Sequence, residues 1–291
     1  MKASPFDLVA IAICTGAWGT TWYVVTLQLG VVDPMVSLVY RFSIAAVVLF
    51  LWCAARREPM TQSSRQHAMA AGLGFFGFTL SYACTYEAEV RVVSAVVAVL
   101  FAGLAFLNLV TFRVVFGQRA RPLAWAGAAL GAAGVGLLSW GEIVQTGSAS
   151  KPLTGIALAL LGVLATAAGN VFARLGQEGS TIAASTAWAT LYGTIFLVAF
   201  VVVTGRPWRF DLSRRYVFSL VYLALVGSVV AFLLFFRVAR SRGYTAASYI
   251  LALTPILAMA MSTLFEGKTW SAMGIGGVAA VLLGQWMLLR A

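Results

Sequence analysis

Ten stretches of about twenty apolar residues fill the chain, separated by short polar breaks. They run over 6–26, 34–54, 67–87, 92–113, 122–140, 153–174, 182–204, 216–237, 244–265 and 270–289. A bilayer's hydrocarbon core takes about 20 such residues per helix, so the pattern predicts ten membrane-spanning helices. The breaks carry turn and loop chemistry: GVVDP, RREPMTQSSRQ, GQRARP, EIVQTGSASKP, GRPWRFDLSRR, SRG and EGK. They are too short to hold a soluble domain. The fold class expected is an all-α polytopic membrane protein.

Proline sharpens the boundaries. Pro5, Pro34, Pro122 and Pro152 open spans, where the missing N–H costs nothing. Pro59 and Pro207 fall in breaks. Pro255 alone lies mid-span, where it frees the carbonyl of Leu251 and is expected to kink the ninth helix.

The two halves align at an offset of 150 residues. Gly19 falls on Gly169, Trp22 on Phe172, Gly77 on Gly227, Tyr82 on Phe232 and Tyr86 on Phe236. Gly127 falls on Gly277, and Gly134 on Gly284. At an offset of 152, Ser94 meets Ala246 and Gly103 meets Pro255. The expected units are residues 1–147 and 148–291, each with five spans. An odd number makes the second copy enter from the opposite face, which gives an inverted repeat. In transporters built this way the substrate site lies near the midplane where the copies meet.

Composition excludes other classes. The chain of 291 residues is 61% hydrophobic and 10% charged, with mean hydropathy +0.92; soluble domains carry about 25% charged residues. The net charge of +11 sits in the breaks, as membrane-flanking charge does, and argues against nucleic acid. Twelve Lys and Arg fall on the side of the N-terminus and seven on the other. That bias places both termini in the cytoplasm. The start, MKASPFDLVAIAICTGA, has a signal peptide's outline, but its apolar run continues to Thr26 and reads as a retained first helix. Cys14, Cys53 and Cys84 read as small buried hydrophobes, and His67 as surface. Nothing clusters His, Cys, Asp or Glu for a metal or a hydrolytic site, so no cofactor, metal or catalytic residue is expected.

The polar interior carries the candidate chemistry. Thr15, Gly16, Gly19, Thr20, Tyr23 and Thr26 share one helical face, flanked by Trp18 and Trp22. Gly162, Thr166, Gly169 and Asn170 share another. Small residues on a stripe also serve close helix packing, so each stripe admits both readings. Asn170 is one of only two asparagines, and a buried amide needs partners. Arg41, two turns into the second span, is the one deep ionisable group; it either serves function or snorkels to the interface. With a single interior cation the cavity suits a neutral or zwitterionic solute rather than a phosphorylated one. Any coupling to protons would rest on Glu87, Glu89 or Arg41.

Several motifs, in order, resemble the drug/metabolite transporter superfamily in its EamA-type branch. They are GAWGTTW in the first span, Arg41-Phe42 in the second, VVSAVVAVLF at 92–101, Pro255 with Glu266, and GIGGVAAVLLG at 274–284. The likeness covers essentially the whole chain. The aromatic first span is most like bacterial inner-membrane exporters of aromatic and other amino acids. The resemblance implies a central cavity formed by helices 1, 3, 4, 6, 8 and 9, with helices 5 and 10 peripheral. The first copy departs from the pattern, with Gly103 for the proline and Phe116-Gly117-Gln118 for the glutamate region.

These readings lead to one expectation: a monomeric multi-pass inner-membrane exporter of neutral amino acids or similar metabolites, working by alternating access. The cavity is expected to use Trp18, Trp22, Tyr23, Tyr82, Tyr86, Ser94, Phe101, Asn170, Phe232 and Tyr249. Gly19, Gly103, Gly169 and Pro255 are the expected hinges, and Arg41 the intramembrane charge. An exporter of nucleosides or drugs, and a non-transporting scaffold, are the competing readings.

Overall fold

The computed structural model describes residues 5–146 and 150–290, with the side chains of 5–7, 142, 146, 242, 244–246, 248, 249, 251, 252 and 289 outside the description. Among the described residues every regular element is helical. There are ten membrane helices, α1 Pro5–Thr26, α2 Pro34–Ala55, α3 Ser64–Glu89, α4 Ser94–Phe116, α5 Pro122–Thr146, α6 Ser150–Leu175, α7 Ile182–Val203, α8 Arg214–Ser241, α9 Tyr244–Phe265 and α10 Ala272–Arg290.

Local sequence explains where these helices begin. Asp33 precedes Pro34, and its carboxylate accepts from the Met35 amide at 2.8 Å. Ser63 and Gln66 form a capping box at the start of α3. Thr181 and Ser213 cap α7 and α8 by accepting from the amides of Ala184 and Tyr216. An ion pair between Asp33 and Arg206 at 2.9 Å ties the start of α2 to the end of α7.

The packing has the reciprocity of a two-fold axis. Helices α2 and α7 pack together, as do α4 with α9 and α5 with α10. The contact of α1 with α9 is answered by α6 with α4, and that of α3 with α6 by α8 with α1. The clearest case is glycine on glycine. A Cβ on Gly127 would stand 2.5 Å from the Gly284 carbonyl oxygen, and one on Gly134 2.6 Å from that of Gly277. Since Gly127 corresponds to Gly277 and Gly134 to Gly284, each contact is the other's symmetry mate. The protein is therefore two inverted five-helix repeats.

Two features of the backbone go beyond the sequence reading. Helical geometry continues through Pro255 in α9, while α4 is interrupted at Gly103, with helix on either side. The break thus falls in the copy without the proline. Helices α3 and α8 each contain a π-helical turn, Gly74–Leu80 and Leu225–Val230, around the matched Gly77 and Gly227. In each turn a hydroxyl donates to the carbonyl five residues back. Thr79 bonds Gly74 at 3.1 Å and Ser228 bonds Leu223 at 3.0 Å. These bonds tie a side chain of each wider turn to its own backbone.

A leucine at Gly127 or Gly284 is expected to force α5 from α10. Overpacking of this kind costs about 1–3 kcal/mol, seen as a lower melting temperature of the detergent-purified protein. Gly136→Leu, at a position with open space around it, is expected to melt as the parent does.

Candidate functional site

A cavity of about 110 Å³ lies between the two repeats. At ~10–15 Å³ per water this is room for roughly seven to eleven waters, the heavy-atom scale of a small amino acid. Its walls come from α1, α2, α3, α4, α6, α8 and α9, with nothing from α5 or α10. Helix α1 contributes Trp18, Thr21, Trp22 and Val25, spaced as one helical face. Phe78 stacks on Phe232 at 4.7 Å, and Trp22 tilts against Phe101 at 5.1 Å.

Arg41 organises one side of the cavity. Its residue is 2% exposed. Nε donates to Ser228 Oγ at 3.0 Å and Nη1 to Tyr86 OH at 3.3 Å. Tyr86 in turn donates to Gln28 Oε1 at 3.0 Å. The guanidinium lies over the Tyr82 ring, 4.8 Å from its centroid. Desolvating a cation costs several kcal/mol. Here two hydrogen bonds and a cation–π contact, the latter worth about 0.5–2 kcal/mol, offset that cost. Ser228 sits in the π-turn of α8, and Trp18 Nε1 donates to the Gly227 carbonyl of that turn at 3.1 Å. The irregular backbone therefore holds two residues of the site.

A second polar set joins α6 to α4 and α3. Asn170 Nδ2 donates to Asn108 Oδ1 at 3.2 Å, so the chain's two asparagines are each other's partners. Ser81 and Thr166 share a hydrogen bond at 2.5 Å. Glu89, at the end of α3, also lines the cavity and is 7% exposed. Neither of its carboxylate oxygens has a hydrogen-bond partner among the described residues.

Residues 6–140 and 153–290 each match the EamA-like transporter family. The chain belongs to that family. It is 24% identical over 277 residues to the inner membrane transporter YedA of Escherichia coli (strain K12), covering 93% of this chain and 88% of that one. It is similar at 24% over 293 residues to the transporter sll0355 of Synechocystis, covering 93% and 86%. Protein PagO of Salmonella typhimurium is 20% identical over 281 residues, covering 94% and 90%. One solved crystal structure superposes with a TM-score of 0.72 at 17% identity, over 98% of this chain and 96% of that one, and shows the same fold. The EamA-like chain is thus a multi-pass membrane transporter.

Of the expected cavity residues, Trp18, Trp22, Tyr82, Tyr86, Phe101, Asn170 and Phe232 line the space, as does Arg41. Arg41 does not snorkel to the interface. Tyr23 lies elsewhere, stacked on Phe265 at 5.0 Å. The small and hydroxyl face of α1 packs rather than lines. Gly19 abuts Leu257, and Thr20 bonds Tyr222 OH at 2.7 Å. The cavity face is the bulky stripe at 18, 21, 22 and 25, and its i, i+3, i+4, i+7 spacing was the signal available.

Ser94 is also outside the cavity. It donates to Glu266 Oε2 at 2.6 Å, and Ser262 donates to the same oxygen. This set latches the start of α4 to the end of α9. Of the expected hinges, Gly169 packs on Gly77, Gly103 breaks α4, and Pro255 is buried beside the lining residue Thr254. Tyr249 has its side chain outside the described residues. The lining hydroxyls of Thr21, Ser81, Thr85 and Thr254 were missed, and Glu89, named only as a candidate for proton coupling, was not placed in the cavity. Pairing Glu87 with Arg91 at i+4, seen at 2.7 Å, leaves Glu89 on another face, and that spacing was legible.

Asn108→Ala and Asn170→Ala each strand a buried amide and are expected to lower stability by about 1–3 kcal/mol. The double variant is expected to lose less than the sum. Thermal melts of the three variants and the parent check this coupling.

Proposed function

We propose that the protein exports neutral amino acids, aromatic ones among them, or similar small metabolites, by alternating access through the cavity between its repeats. The observation that carries this reading is the cavity itself. It has aromatic walls, hydroxyls from both repeats and one cation, in a space of amino-acid scale. Aromatic faces suit apolar or aromatic side chains. A lone guanidinium suits one carboxylate and falls short of the several cations a phosphorylated solute needs. On this reading the protein works as a monomer in the inner membrane with both termini cytoplasmic. The walls bind and orient a solute, and no residue acts as a catalyst.

Two inverted copies provide the means for alternation. Each mouth is built from the same helices with the repeats exchanged, so a rocking of one copy against the other closes one mouth as it opens the other. Gly103 and Pro255, matched in the two copies, are the natural flexing points of α4 and α9.

Purified protein in liposomes is expected to move labelled phenylalanine, methionine or threonine. Trp22→Ala and Tyr82→Ala are expected to lower that flux about 3- to 10-fold, the range of one lost aromatic contact. Flux unchanged in both variants would overturn the assignment of the cavity walls. Competition only by phosphorylated nucleotides would overturn the amino-acid reading.

A further inference from the structure

The cavity contains a second charge that the transport reading leaves unused. Glu89 closes α3 and lines the same space as Arg41, yet the two are not bonded to each other. The guanidinium is engaged by Ser228 and Tyr86. The Glu89 carboxylate is shielded from solvent, and both of its oxygens lack a partner among the described residues. The other nearby carboxylates are satisfied. Glu87 pairs with Arg91, and Glu266 accepts from Ser94 and Ser262.

A desolvated carboxylate without donors is costly, and a donor arriving with a solute would relieve that cost. The charged groups close enough to act on it are Glu266 and Arg41. A metal ion is a poor occupant, because no group of three or more His, Cys, Asp or Glu able to hold one occurs among the described residues. A simple organic cation meets the repulsion of Arg41, and a simple anion that of Glu89. A solute with both charges meets neither.

We propose that Glu89 is the docking group for the substrate's ammonium, with Arg41 receiving its carboxylate. This rests on the transport reading above and narrows it to zwitterions. Charge-assisted hydrogen bonds in a dry site are the strong ones, so each end of the solute contributes to selection. The aromatic rings are left to accommodate the side chain.

The test uses the full chain in proteoliposomes with L-phenylalanine as the labelled solute. N-acetyl-L-phenylalanine, which lacks the ammonium, and 2-phenylethylamine, which lacks the carboxylate, serve as competitors. Each is expected to compete with the parent protein at least 10-fold more weakly than unlabelled phenylalanine does. In Glu89→Gln, phenylalanine is expected to lose at least 10-fold in KM. N-acetyl-phenylalanine is expected to compete there as well as phenylalanine, and Glu89→Asp to restore part of the discrimination. Arg41→Gln is expected to erase the preference for phenylalanine over phenylethylamine. N-acetyl-phenylalanine competing as well as phenylalanine against the parent overturns the proposal, and this arm needs no variant to fold. So does Glu89→Gln with an unchanged KM. A parent protein that moves no amino acid overturns the transport reading itself, and the narrower proposal falls with it.

Discussion

Close approach of backbones at glycine is the constraint on which this molecule depends. In lipid, an apolar side chain gains little by leaving hydrocarbon for another helix, so helices are held by van der Waals contact and hydrogen bonds. The α5–α10 pair meets this with Gly127 on Gly284 and Gly134 on Gly277. The same device brings α3 to α6 at Gly77 and Gly169, and α3 to α7 at Gly74 and Gly193. These tight contacts fix the frame. The cavity is what remains where side chains on the inner faces are too bulky for backbones to meet. Trp18, Trp22, Phe101 and Phe232 hold the centre open while the glycines close the periphery.

The frame also explains where irregular backbone is placed. The π-turns of α3 and α8 occur at matched positions in the two copies; the first lines the cavity at Gly77 and Phe78, and the second holds the lining residues Arg41 and Trp18. In a membrane, backbone polar groups survive only if protein satisfies them. Thr79 and Ser228 donate to carbonyls within their own helices, and Trp18 donates to one from α1. Ser228 then accepts from Arg41. The strain of the turn and the burial of the cation are thus met by one hydroxyl, which accepts from the guanidinium while it donates to Leu223.

Hydropathy alone marked the ten helices, because each break is polar and each span is the thickness of a bilayer. The repeat was legible in glycines and aromatics at a fixed offset, since backbone contact tolerates little else at those positions. The cavity wall was legible where bulk identified it, at Trp18, Trp22, Tyr82 and Phe232. It was misread where small and hydroxyl residues were assigned to the solute. Tyr23 and Ser94 face neighbouring helices, and in a helix of small residues the packing stripe and the lining stripe look alike. The partners of Arg41 lie 45 and 187 residues away, and no local pattern joins residues so distant. Glu89 was legible as a candidate for proton coupling but not as a cavity residue, because a carboxylate at a helix end ordinarily meets water.

Symmetry here holds in the order and packing of the helices and is broken in their chemistry. At the end far from the termini, the Glu266 carboxylate seals α9 to α4 by accepting from Ser94 and Ser262, and it sits at the N-terminus of α4, where the helix dipole favours negative charge. The first copy has Phe116-Gly117-Gln118 in the corresponding region. There the end of α4 is held from α6 by Arg174, whose guanidinium lies 4.3 Å from the Phe116 ring centroid and 5.4 Å from that of Phe112. The start of α4 is held by a carboxylate on hydroxyls, its other end by a cation on rings. Contacts of different chemistry cost different amounts to break, so the two ends of α4 are not equivalent. Glu89 and Arg41 both lie in the half nearer the carboxylate latch. On the proposal above, a zwitterion bridging them would therefore act first on the end of α4 that Glu266 ties to α9.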